Sequence, residues 1–309
     1  MLYYTIMGRA KFLAPLLAAS VATPAAAEAP RVAVSIAPIH SLVAAVMAGV
    51  GDPVLIVDPR QSEHTFQLKP SQARALAESR LIVWVGPEDE PMLMRTVAAL
   101  PKQARVITLT NLKGLVLLPR RGGDDWGHDH GHAHESAAAR VDPHMWLDPD
   151  MARFIVTAIR DALIALDPPN SDRYSGNAAA ADAAMRDLDG EMRAALTPLK
   201  GRRFLVFHDA YQYFERRYGL AAAGAIALSP ELAPGARRIA DLRARIRGGD
   251  IACVFAEPQF SPALVEIVTE GLAVRSATLD GLGAGYAPGP ALWFDVMRGM
   301  MRAFAGCLG

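Results

Sequence analysis

Of the eight histidines in the chain, four crowd into His128-Asp129-His130-Gly131-His132-Ala133-His134-Glu135. A fifth, His144, stands between two Asp-Pro steps in Val141-Asp142-Pro143-His144-Met145-Trp146-Leu147-Asp148-Pro149. Proline disfavours helix at the residue before it and fixes its own φ, so both flanks of His144 are held in non-helical geometry. A histidine held that rigidly is a candidate metal ligand, although a core or turn histidine is the plainer account of it taken alone. Glu63-His64 lies in the loop after the apolar run Pro53–Val57, and His208-Asp209 follows Phe204–Phe207 directly. Asp280 follows Val274–Leu279, with Gly281, Gly283 and Gly285 letting the backbone approach closely. In open α/β sheets, ligands bind beyond the carboxyl ends of the strands. Four separate loops each bring a histidine or carboxylate to that kind of position, and His40, after the first strand, sits near it by the same argument. Imidazoles completed by one carboxylate make a tetrahedral zinc shell, whereas manganese prefers more oxygen. No His-Glu-x-x-His or Gly-x-Ser-x-Gly motif is present to suggest hydrolytic chemistry.

Strands and helices must alternate to place those loops. Arg31–Ala37, Pro53–Val57, Leu81–Val85 and Arg105–Leu109 read as short apolar strands, with helices at Ser41–Met47 and from an N-cap at Ser71. Continuous apolar strands of this kind belong to parallel sheets covered on both faces. Residues 119–140 carry no periodicity and read as a solvent-exposed insertion. Asp150 can cap a helix ended by Asp167-Pro168-Pro169. A longer one spans Ser171–Thr197 with Tyr174, Ala178, Ala181, Met185, Leu188, Met192 and Leu196 on one face. Gly176 and Gly190 weaken it, so packing must hold it. Alternation resumes with strands at Phe204–Phe207, Ala225–Leu228, Ile251–Ala256 and Val274–Leu279, a helix at Gly235–Ile246 and a last one at Leu292–Phe304. The expected architecture is two similar α/β lobes with mostly parallel sheets, joined by one long spine helix. The N-terminal lobe takes residues 28–168, the spine 169–199 and the C-terminal lobe 200–309.

With 51% hydrophobic and 21% charged residues and no formal net charge, the chain is ordinary globular material with no electrostatic case for nucleic acid or anionic membrane. Residues 1–27 read as a secretory signal peptide: Arg9 and Lys11, an apolar run from Phe12, then Ala25-Ala26-Ala27 before Glu28. Met7 is an alternative start to Met1. The exported protein is expected to be soluble. Cys253 and Cys307 fit an oxidising compartment, where a bond between them would stabilise by about 4 kcal/mol in the chain-entropy description; two free buried thiols are the alternative.

A resemblance then becomes specific. The stretches 62–71 (Ser-Glu-His-Thr-Phe-Gln-Leu-Lys-Pro-Ser), 83–88 (Val-Trp-Val-Gly-Pro-Glu), 142–147 (Asp-Pro-His-Met-Trp-Leu) and 207–214 (Phe-His-Asp-Ala-Tyr-Gln-Tyr-Phe) resemble motifs of one family. So do 255–260 (Phe-Ala-Glu-Pro-Gln-Phe) and 279–283 (Leu-Asp-Gly-Leu-Gly). The family is the cluster A-I metal-binding proteins of ABC importers, in particular the periplasmic zinc-uptake (Znu-type) members. The resemblance covers essentially the whole mature chain and implies two lobes bridged by a long helix, with the metal in the interlobe cleft. It implies His64, His144 and His208 as zinc ligands, with Asp280 favoured in the fourth position and Glu63 or a water as alternatives. Asp209 and Glu257 are candidate acceptors for the ligand imidazoles, and the cysteine pair resembles a disulfide of the zinc members.

The function so implied is not enzymatic. It is high-affinity capture of Zn2+ as transported cargo in the periplasm and delivery to the membrane permease of an ABC importer, by a monomer that does not bind nucleic acid. An exported zinc metallochaperone and a manganese-type importer binding protein are the alternatives, with a zinc hydrolase behind both. His128, His130, His132 and His134 read as a separate, looser zinc-collecting loop, weaker because ordering it costs entropy, and able to receive zinc from an accessory periplasmic chaperone.

Overall fold

In the computed structural model, residues 29–121, 141–227 and 233–309 are described, together with Met1. Chain order in the first half is β1 (Val32–Val34), α1 (Ala37–Met47), β2 (Val54–Leu55), α2 (Pro70–Glu78), β3 (Leu81–Trp84), α3 (Met94–Ala98) and β4 (Arg105–Thr108). The four strands pair in parallel in the order β2-β1-β3-β4. β1 and β3 are buried at every position, as continuous apolar runs covered on both faces must be. Two helices start earlier than their sequence signals indicate. α1 begins at Ala37, with Pro38 in the first turn, where a missing N–H costs nothing. α2 begins at Pro70 with Lys69, not Ser71, as N-cap, and the Gln72 side chain accepts the Lys69 N–H at 2.6 Å.

α4 (Pro149–Leu166) and α5 (Ser171–Leu196) follow. Asp148, not Asp150, caps α4, accepting from the Asp150 N–H at 2.7 Å; the proline after it makes Asp148 the last residue held out of the helix. α5 has 26 residues, roughly 40 Å at the helical rise. Its buried positions are Tyr174, Ala178, Ala181, Met185, Leu188, Met192 and Leu196, the whole expected stripe. At Gly176 and Gly190 a Cβ would meet nothing within 4 Å, so both glycines lie on its open face.

The second half contains β5 (Arg203–Val206), α6 (Gln212–Tyr218), β6 (Ala221–Ala225), α7 (Ala236–Arg247), β7 (Cys253–Ala256), α8 (Ala263–Thr269), β8 (Arg275–Thr278) and α9 (Leu292–Leu308). Its parallel sheet runs β6-β5-β7-β8, the same order as the first. The expected strand at Ala225–Leu228 is displaced: β6 is Ala221–Ala225, and its pairing with β5 steps from Phe204↔Ala222 to Leu205↔Gly224 past a bulged Ala223. Alanine and glycine have weak strand preference, so the tertiary slot between β5 and solvent, not local propensity, sets this strand. Two parallel α/β lobes with a long helix between them is therefore the fold.

α9 returns across the molecule to pack on α1 and α5, with the Trp293 N–H donating to Ser41 Oγ at 2.9 Å. The Cys253–Cys307 disulfide fastens it to β7 with Cα atoms 5.9 Å apart. Among the described residues no helix is long and apolar enough to cross a membrane. Pro119 and Val141 form an antiparallel bridge at the root of the insertion; the run His128, His130, His132 and His134 lies outside the described residues.

Candidate metal site

Each candidate histidine arrives from the end of a strand or a proline-fixed turn. His64 sits in the loop after β2, His208 two residues beyond β5, and His144 leads a short 3-10 turn, Met145–Leu147, that runs into α4. The Asp142-Pro143 step ahead of His144 forms a local clasp: Asp142 Oδ1 accepts both the His144 N–H at 3.0 Å and its Nδ1–H at 2.8 Å.

The three rings converge edge-on. Their centroids are 5.7 Å (His64–His144), 5.5 Å (His64–His208) and 5.4 Å (His144–His208) apart, and one nitrogen from each lies within 4.8 Å of the other two. Every Nδ1 has an acceptor. His64 Nδ1 lies 3.1 Å from the Asp89 carbonyl oxygen, which can only accept, so that nitrogen carries the hydrogen. His208 Nδ1 faces the Glu257 carboxylate at 2.9 Å. Holding Nδ1 in this way fixes the tautomer and leaves Nε2 as the lone-pair nitrogen, the arrangement in which histidine ligates a metal. The Nε2 atoms of His144 and His208 are buried without a hydrogen-bond partner among the described residues, and His64 Nε2 stands 3.7 Å from Glu63 Oε1.

Glu63, His144 and His208 line one small space of about 10 Å³ with Glu257 and the apolar walls Trp146, Leu147, Phe260 and Leu282, room for about one ion-sized body. The walls come from both lobes, which are bonded across the cleft: Trp146 Nε1 donates to the Gly281 carbonyl at 3.1 Å, Gln259 Nε2 to Pro59 O at 2.8 Å and the Tyr213 hydroxyl to Asp142 O at 2.9 Å. Arg121, at the root of the insertion, pairs with Asp209 and Glu215 of the second lobe.

Burial, then the neighbouring rings of His208 and His64, push the His144 imidazole well below its ordinary value. It therefore donates to Asp142 as a neutral ring, and burial lifts that carboxyl to about 6. Burial would also lower His208, but Glu257 against its Nδ1 overrides this and raises it to about 9. Beneath the site, burial and then Glu63 hold Asp89 well above the carboxylate range, and burial brings Glu90 to about 8.

Not every residue singled out from the sequence reaches this cluster. Asp280 is not among the closely grouped ligand atoms: its Oδ1 accepts the N–H groups of Gly283 and Ala284 at 2.8 and 2.9 Å and its Oδ2 that of Gly285 at 2.9 Å, which ties the carboxylate to its own glycine loop. Glu63 is a carboxylate on the Nε2 side of His64, 3.7 Å away. Asp209 is turned to Arg121 and holds no imidazole, and Nε2 of His40 binds the Pro53 carbonyl at 3.0 Å, outside the cluster. Asp142 and Asp89 were not singled out as ring holders. The i, i+2 spacing of Asp142 and His144 carried a readable signal; the carbonyl of Asp89 carried none.

Residues 32–307 match the family described as zinc-uptake complex component A, periplasmic. The chain belongs to this family. Among its curated relatives is the high-affinity zinc uptake system protein ZnuA of Brucella abortus, 40% identical over 310 residues that cover 92% of this chain and 93% of that protein. The protein of the same name from Paracoccus denitrificans is 38% identical over 317 residues, covering 95% and 97%. A crystal structure of ZnuA superposes with a TM-score of 0.77 at 26% identity, covering 91% of this chain and all of that one. Family members of this kind are substrate-binding proteins, not enzymes.

Proposed function

We propose that this protein captures zinc in the periplasm and presents it to the membrane permease of an ABC importer. The observation that carries the reading is the convergence of three imidazoles, one nitrogen of each within 4.8 Å of the others, whose rings are each held through Nδ1. His64, His144 and His208 hold the ion, and Glu63 is the fourth ligand. Three imidazole nitrogens and one carboxylate oxygen suit zinc over manganese. The ion is cargo, so the apolar walls serve to exclude water and other ions and not to activate a bound water.

Residues 1–27 direct export and are removed, and the mature protein works as a monomer that draws on the histidine run 128–134 or an accessory chaperone for its zinc. Competition between zinc and manganese for the untagged protein tests the reading: one tightly bound zinc per chain, displaced by manganese only in large excess, is expected. A preference for manganese, or metal-dependent hydrolysis lost in His144→Ala, would overturn it. Zinc takes deprotonated imidazole, and Glu257 raises His208 to about 9, so affinity should fall as pH drops through and below about 9.

A further inference from the structure

Asp89 is a buried acid beside the site whose carboxylate makes no hydrogen bond among the described residues. Its neighbour Glu90 uses Oε2 to accept the Val85 and Gly86 N–H groups at 2.8 and 3.3 Å. Asp89 is 0% exposed, and neither carboxylate oxygen has a hydrogen-bond partner among the described residues. Oδ1 lies 3.8 Å from His64 Nδ1. A carboxylate buried without partners is costly unless a positive charge compensates it. One ligand atom each from Glu63, His64, Asp89 and His144 falls within 4.8 Å of the others.

We propose that these four residues form a second, overlapping divalent-cation position lying wholly within the first lobe. It shares His64 and His144 with the three-histidine position, so one ion occupies one or the other. The proposal rests on the zinc-capture reading and concerns what happens when the lobes part. His208 and Glu257 belong to the second lobe and leave with it. Glu63, His64, Asp89 and His144 stay together, and exchanging His208 for Asp89 keeps the ion four-coordinate. The open protein thus retains its cargo in a shell of two oxygens and two nitrogens. Such a shell discriminates less against harder ions such as manganese and cobalt than the closed shell does.

The test is a cycle of His208→Ala, Asp89→Asn and both together, with circular dichroism and thermal melting confirming the fold; His208→Gln replaces His208→Ala if that variant does not fold. Zinc and cobalt(II) affinities are measured for each protein, with X-ray absorption counting imidazole ligands. We expect His208→Ala to keep one ion per chain at reduced affinity with two imidazoles in the shell. Asp89→Asn should then cost at least about tenfold more in affinity, clearly more than the same change costs in the native protein. Loss of all binding in folded His208→Ala overturns the second position and leaves the zinc reading intact. So does an Asp89→Asn effect that is absent, or equal in the two backgrounds, which would mean Asp89 acts only by holding His64. No zinc binding by the native protein, or none of its affinity lost in His208→Ala, would instead remove the underlying reading and this proposal with it.

Discussion

Each histidine of the candidate site is set by a partner on its Nδ1, and the partners differ in kind: a backbone carbonyl for His64, a carboxylate two residues away for His144, and a carboxylate from another strand end for His208. Replacing Glu257 by Gln keeps the shape but weakens the hold on His208, and zinc affinity should fall by roughly 10- to 100-fold with one ion per chain retained; calorimetric titration against a competing chelator checks this. Asp280→Ala should do the reverse. Removing the acceptor for three loop N–H groups costs about 1–3 kcal/mol of stability, visible in thermal melts, while zinc stoichiometry stays at one. The histidines were legible in the sequence because strand-end loops are where α/β proteins bind ligands. The difference between Asp280 and Glu63 was not, since both follow strands and only the fold puts Glu63 beside the rings and ties Asp280 to its own glycine loop.

The long helix α5 was legible to its individual buried positions, because a stripe at spacings of three and four has one way to face a core. The short elements were not. β6 is alanine and glycine throughout, and α3 has five residues and no buried side chain, so neither leaves a pattern to read. Gly190→Ala tests the claim that packing holds α5: with open space around that position, the change should raise stability by about 1 kcal/mol, measured by chemical denaturation. α4, α5 and α6 are also laced by arginines. Arg217 contacts Asp148, Asp150 and Asp189, and Arg153 contacts Asp150 and Asp182. Hydrogen bonds from Arg217 and Arg153 hold Asp150 and Asp182 below the usual carboxylate range. For Asp189, burial pulls upward but Arg217 and Arg193 outweigh it. A lowered folded value means stabilisation that is present above the unfolded value near 3.8 and lost as pH falls through the folded one. Arg217→Ala should therefore cost about 3 kcal/mol at neutral pH, and the gap between the native and variant melting temperatures should close below pH ~4.

At the scale of the molecule, two lobes of the same strand order meet along a seam closed by side chains from both. That duplication was readable as alternating strands and helices on either side of one long helix. The return of α9 onto the first lobe was not, because its partners Ser41 and Trp146 are about 250 and 150 residues away in the chain. The seam has a consequence for how the protein can be watched. Trp146 donates to Gly281 O, its own carbonyl accepts the indole N–H of Trp293 at 2.9 Å, and its ring stands 5.3 Å from His144. An indole placed between a candidate metal ligand and the opposite lobe is a built-in optical gauge. Its emission should shift when an ion is taken up, in proportion to occupancy, and Trp146→Phe should silence the shift while the protein still binds zinc.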